Sequence, residues 1–259
     1  MEKILVPTDL ADHSELALQY AIDFGLKNKA QIVLFNDAIK EEDVEKSTSG
    51  LEKAVSDIKS SHSAANDLSI EQKSDKGPVL EGISKMLKES RFDLISMVTH
   101  DDHSLDQNIG SISTKIAQKG KAPSILVPEN NTYEAIKKIL IVNDFTDSRS
   151  DVPAFKHLNT VLQSLNAQAS LLQATFTAAK VKSSDNPATV LGAIKPEESE
   201  KVSFDTYPKL IQEVKEHAQK TGVQMIFIPS GQAIFEKIFV GNLSRKIALA
   251  TRLPVYIYF

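Results

Sequence analysis

The sequence predicts two consecutive α/β domains, each a five-stranded, mostly parallel sheet with helices on both faces. Three observations carry that prediction. Short continuous apolar runs alternate with segments of helical period, the alternation is run through twice, and the two rounds share anchors in the same order. Strands that stay apolar without alternating are what a parallel sheet covered on both faces requires.

The repeat is legible residue by residue. Lys3-Ile4-Leu5-Val6-Pro7-Thr8-Asp9 returns as Lys138-Ile139-Leu140-Ile141-Val142-Asn143-Asp144, in each case an apolar run closed by aspartate. Ala30-Gln31-Ile32-Val33-Leu34-Phe35 parallels Ala167-Gln168-Ala169-Ser170-Leu171-Leu172. Gly110-Ser111 through the Pro123-led run Ser124 to Val127 parallels Gly241-Asn242 through the Pro254-led run Val255 to Tyr258. A period of this kind decides the architecture before any single element does. Domains are expected over 1–130 and 136–259, with a linker of about 129–135 where Pro128 ends a strand and Asn130-Asn131 breaks structure.

Taken in order, the first half predicts strands near 3–8, 30–36, 68–72, 93–98 and 124–128, with helices over 13–27, 42–65, 79–90 and 110–119. Asp12 and Ser14 are the candidate N-caps of the first helix, whose Leu16, Ala17, Tyr20, Ala21 and Phe24 keep helical spacing and should face the sheet. The second half predicts strands near 138–143, 168–173, 224–229 and 254–258 and helices over 149–165, 207–220 and 241–250. Its polar, proline-broken stretch 176–206 should hold a loop, a short helix and a strand near 201–205.

Composition bounds the function classes. A net charge of −4 supplies no basic field for a nucleic acid or an anionic membrane surface. With no cysteine, disulfides, thiolate metal sites and cysteine nucleophiles are all excluded, which fits a reducing compartment. The start MEKILVPTDL lacks the form of a signal peptide, and no stretch approaches the ~20 apolar residues of a membrane span. A cytoplasmic protein is expected.

Five parallel strands, a first strand ending in aspartate, and a late Gly-Ser opening the last helix resemble the universal stress protein family, over essentially the whole chain and twice. The resemblance implies tandem flavodoxin- or Rossmann-like (adenine nucleotide alpha hydrolase-like) domains. It also implies a nucleotide site at the carboxyl ends of the strands, where a G-x-x-G-x(9)-G-(S/T) loop holds phosphates and the strand-1 aspartate lies beside the nucleotide. Projected here, the three glycine positions fall on Met97, His100 and Gly110, followed by Ser111, and on Ile228, Gly231 and Gly241, followed by Asn242. The motif is therefore eroded differently in each half. Candidate ligand-binding residues are Pro7, Thr8, Asp9, Gly110, Ser111 and Ile112 in the first half and Asn143, Asp144, Gly231, Gly241 and Asn242 in the second. The second loop is the less damaged. Asp9 and Asp144 could equally be strand-end residues that cap the following turn.

His100-Asp101-Asp102-His103 follows the fourth strand, and His13 and Asp9 should approach the same sheet edge. No resident metal is expected, since consecutive polar loop residues are more often solvated surface. Even so, His13, His100 and His103 are the side chains that could bind a divalent ion such as zinc. No catalytic set stands out, and Ser14 beside His13 reads as a helix cap. Phe235, Phe239, Tyr256, Tyr258 and Phe259 read as core or domain interface rather than an adenine-stacking wall.

The expected function is that of a non-enzymatic stress-response regulator binding ATP, ADP or another small molecule at a degenerate site. The rival is an interaction module that has lost nucleotide binding and works through protein partners. Family likeness further implies that the two fifth strands pair to make an intramolecular pseudo-dimer, with a homodimer of the whole chain open besides. Slow ATP hydrolysis is the least expected activity.

Overall fold

The computed structural model describes residues 1–38, 43–100, 116, 122–145, 148–177, 187–229 and 240–258. The chain forms two units, Met1–Tyr133 and Glu134–Phe259. Among the described residues of the first, β1 (Lys3–Pro7), β2 (Gln31–Ala38), β3 (Ile70–Lys76), β4 (Leu94–Thr99) and β5 (Ser124–Pro128) alternate with α1 (Glu15–Asn28), α2 (Val44–Ser61) and α3 (Val79–Glu89). The second holds β6 (Lys138–Asn143), α4 (Ser148–Leu165), β7 (Gln168–Phe176), α5 (Pro187–Leu191), β8 (Glu198–Phe204), α6 (Tyr207–Thr221), β9 (Met225–Pro229), α7 (Val240–Thr251) and β10 (Val255–Tyr258). The fourth helix expected over 110–119 lies outside the described residues, Ile116 excepted.

Each unit is a parallel sheet in which the chain starts in the middle and winds outward both ways. The strand order is β3-β2-β1-β4-β5 in the first unit and β8-β7-β6-β9-β10 in the second. The repeat extends to register. Lys3 pairs with Gln31 as Lys138 pairs with Gln168, and Met97 pairs with Leu126 as Ile228 pairs with Ile257. The central strands are buried on both faces, which is why Ile4, Leu5 and Val6 and again Ile139, Leu140, Ile141 and Val142 form unbroken apolar runs. Each such side chain contributes about 1.5–3 kcal/mol by leaving water.

Helix α1 buries Ala17, Leu18, Tyr20, Ala21 and Phe24 against this sheet, and the Ser96 hydroxyl of β4 donates to the Ala17 carbonyl at 2.8 Å. Lys29 and Asn166, both at φ 53, end the helices that precede β2 and β7. Behind them, Ala30 N–H donates to the Gly25 carbonyl and Ala167 N–H to that of Leu162, so the same left-handed stop turns each chain half into its second strand.

Three elements depart from the sequence reading. The helix expected over 42–65 stops at Ser61, because His62 leaves helical geometry, and a short 3₁₀ turn (Ser63–Asp67) follows. Strand β3 runs to Lys76, well past the apolar signal that ends at Ile70; as an edge strand it is polar along most of its length, yet its backbone pairs with β2 as far as Ala38–Lys76. Residues 129–133, within the linker expected at about 129–135, hydrogen-bond to the first unit. The Tyr20 hydroxyl donates to Asn131 Oδ1 at 3.0 Å, and Tyr133 donates its hydroxyl to Asp23.

Candidate functional site

The chain leaves β1 in a turn whose side chains are fixed locally. The Thr8 Oγ1 accepts the N–H of Leu10 at 2.9 Å, which stabilises Leu10 at φ 63, a conformation few non-glycine residues adopt. The second unit makes the same turn with a different residue: Asn143 Oδ1 accepts the N–H of Phe145, which sits at φ 56. Asn36 Nδ2 donates to the Thr8 carbonyl at 2.7 Å and Thr8 N–H donates to the Phe35 carbonyl, so β2 holds the turn from one side.

Asp9, next in the chain, accepts at Oδ1 from the Ala11 N–H at 3.0 Å and from the Ser14 hydroxyl. Ser14 was expected to cap α1; it stands at the N-cap position, but a 3₁₀ turn over Asp12–Ser14 directs its hydroxyl to Asp9 instead. The other oxygen, Oδ2, faces two imidazoles: His13 Nε2 at 3.7 Å and His100 Nε2 at 3.8 Å. The two rings meet edge to face with centroids 4.5 Å apart. Partial burial works against the Asp9 carboxylate, but the Ser14 hydroxyl, the Ala11 amide and the two imidazoles outweigh it and hold its pKa below the ordinary value.

His100 follows the last residue of β4, and its Nδ1 lies 2.9 Å from Glu129 Oε2. Glu129 is itself placed by its N–H, which donates to the Thr99 carbonyl at 3.1 Å. The carboxyl edge of this sheet therefore carries an alternating line of carboxylates and imidazoles drawn from three places in the sequence. Pro7 and Thr8 lie at its base.

In the second unit Asn143 and Asp144 are buried at the end of β6. With Oδ1 spent on Phe145, the Nδ2 of Asn143 is shut from solvent and makes no hydrogen bond among the described residues. Gly241 and Asn242 fall in the first turn of α7. Gly110, Ser111, Ile112, His103 and Gly231 lie outside the described residues. Met97 and Ile228, projected onto a phosphate loop, are strand residues whose side chains are buried in β4 and β9.

Two constellations escape a reading of the sequence. At the ends of β2 and β3, Asp37 pairs in register with Asp75. Among the described residues neither oxygen of Asp37 has a hydrogen-bond partner, and burial, aided by the Asp75 charge, raises its pKa to about 6. Lys85 sits 2.8 Å from Asp75. In the second unit the Ser170 hydroxyl lies 3.1 Å from His217 Nε2, whose Nδ1 is 3.0 Å from Glu200 Oε2. That line has the order nucleophile, base and acid, but Ser170 is 0% exposed, so its hydroxyl ties β7 to α6 where no substrate reaches. The three residues stand 30 and 17 positions apart in chain order, a spacing that carries no motif.

The fold and this edge define a doubly wound α/β protein of the kind that takes ligands where strand order reverses. Residues 1–128 match the Universal stress protein family, so the first unit belongs to that family. No curated protein matches the sequence. Among solved structures, it resembles a universal stress protein from Archaeoglobus fulgidus DSM 4304, at 17% identity and TM-score 0.70, over 98% of this chain and 95% of that one. A functionally unknown protein from Pseudomonas aeruginosa PAO1 is similar at 15% identity and TM-score 0.67, over 99% and 92%. The cytoplasmic domain of a prokaryotic cation chloride cotransporter is similar at 14% identity and TM-score 0.52, over 99% and 94%. At these identities the likeness is one of fold. Among the described residues no helix is long and apolar enough to cross a membrane.

Proposed function

We propose that the chain is a cytoplasmic, non-enzymatic stress-response regulator that binds an adenine nucleotide, ATP or ADP, at the carboxyl edge of its second unit. The observation that carries this reading is the Nδ2 of Asn143, a buried donor at the end of the central strand that has no hydrogen-bond partner among the described residues. An unmade bond of that kind costs about 1–3 kcal/mol, a cost that a ligand acceptor would remove. Gly241, in the first turn of a 12-residue helix, would let backbone N–H groups and the positive helix end approach phosphate. In the sequence motif His100 of the first half takes the position of Gly231 in the second, which favours the second as the nucleotide unit.

Binding acts by population shift: a nucleotide that contacts one conformation better biases what the surface offers a partner. Calorimetry of the full chain with ADP and ATP tests it. Heat with one site per chain is expected, weakened at least tenfold by Gly241→Val and by Asn143→Thr. The second variant copies Thr8 of the first unit, keeping the turn acceptor while deleting the donor. Absence of heat at millimolar nucleotide would reject the proposal.

A further inference from the structure

The first unit's edge poses a different chemical problem. We propose that Asp9, His13 and His100 form a divalent-cation site with a preference for zinc, held in shape by Glu129.

One ligand atom from each of the three lies within 4.8 Å of the others. The argument begins with the proton on His100. Its Nδ1, 2.9 Å from Glu129 Oε2, is the nitrogen that donates to the carboxylate, which turns the lone pair of Nε2 toward Asp9 Oδ2. His13 Nε2 also faces that oxygen, is shut from solvent, and makes no hydrogen bond among the described residues. Both imidazole nitrogens approach Oδ2 at 3.7 and 3.8 Å, beyond hydrogen-bond length. A cation seated between them would take a donor from each of the three residues.

The spacing suits that cation. Donors around tetrahedral zinc, each bound at ~2.0–2.2 Å, stand about 3.3 Å from one another, so the two imidazole nitrogens need to close on Asp9 Oδ2 by about half an ångström, and no pair of donors by more than about 1.5 Å, to complete the set. Two imidazoles and one carboxylate are the donors zinc takes in open sites, with a fourth position left for water or an anion. Glu129 supplies the outer carboxylate that fixes the tautomer and raises the basicity of a ligating histidine. Asp9 is in turn anchored through its other oxygen by Ser14 and Ala11, which leaves Oδ2 for the ion.

The rival occupant is a proton shared among the same atoms. Titration of the metal-stripped full chain with zinc chloride, and with cobalt chloride followed by visible absorption, separates the two. One equivalent of zinc per chain and an intense tetrahedral cobalt spectrum are expected. His13→Gln and His100→Gln should each weaken zinc at least 100-fold. Glu129→Gln, which acts only through His100, should weaken it about 10- to 100-fold while keeping the spectrum's shape. Asn143→Thr should leave zinc binding unchanged, so this site and the nucleotide reading fail separately. No uptake of either ion, or uptake indifferent to His13 and His100 in folded variants, would overturn the proposal.

Discussion

Tyr133 donates its hydroxyl to both carboxylate oxygens of Asp23, at 2.9 and 2.8 Å, across 110 positions of sequence. The tyrosine ring packs edge to face on Tyr20, 5.2 Å away, and on His62, 5.7 Å away. Burial raises the pKa of Asp23, opposed first by this hydroxyl, and burial followed by the Asp23 charge raises that of Tyr133. The last residues of the first unit are thereby clamped onto α1.

Replacing Tyr133 with Phe deletes the donor and keeps the ring. The half-buried carboxyl of Asp23 then loses its principal hydrogen bond, a loss of about 1–3 kcal/mol. A lower urea midpoint for the first unit, with the second unit's transition unmoved, is the expected result.

Gly82 of α3 is fitted to Asp37. A Cβ added there would stand 2.5 and 2.7 Å from the Asp37 carboxylate oxygens and 2.8 Å from Phe35 Cζ. Gly82→Ala should gain up to about 1 kcal/mol of helix propensity and lose about 1–3 kcal/mol to overpacking. The overpacking wins, so thermal denaturation of the variant should show a net loss of stability, where an exposed helical glycine would show a gain.

Asp37 also sets a pH dependence. Its folded pKa of about 6 exceeds the ordinary 3.8, so its folded state holds a proton more tightly than the unfolded chain does. The stability this confers is complete below pH ~4 and is lost as pH rises through ~6. Asp37→Asn should therefore stabilise the protein at pH 7.5 by about 1 kcal/mol, the shift being discounted for partial exposure, and change little at pH 4. Denaturation curves at the two pH values read the difference.

Ser170→Ala would leave His217 Nε2 without its partner inside the second unit, at a cost of about 1–2 kcal/mol. Glu200, on the other side of that ring, has a pKa held below its ordinary value, first by Lys220 and then by His217. Its contribution is present above the unfolded value of 4.5 and fades as pH falls through the lower folded value. The stability loss in Ser170→Ala, measured by denaturant midpoint, should persist across neutral pH.

The apolar core of this fold was legible because central strands must be apolar on both faces; the runs at 3–6 and 138–142 could hardly be anything else. Edge strand β3 was misplaced for the converse reason, its backbone pairing being invisible in a polar sequence. The convergence of Asp9, His13 and His100 was anticipated, because each flanks a strand end on one sheet edge. Glu129 was missed: its role depends on the Thr99 carbonyl holding it beside His100, and one glutamate after a strand has no signature. Asp37, Asp75 and Gly82 were missed likewise, since only register between β2 and β3 brings the two carboxylates side by side.

Hydrogen exchange of the full chain with and without millimolar ADP tests most directly the claim that the second unit is the nucleotide unit. Slowed exchange in residues 138–145 and in the first turns of α7, with residues 3–10 unchanged, is the predicted pattern. Protection confined to the first unit, or none in either, would contradict it.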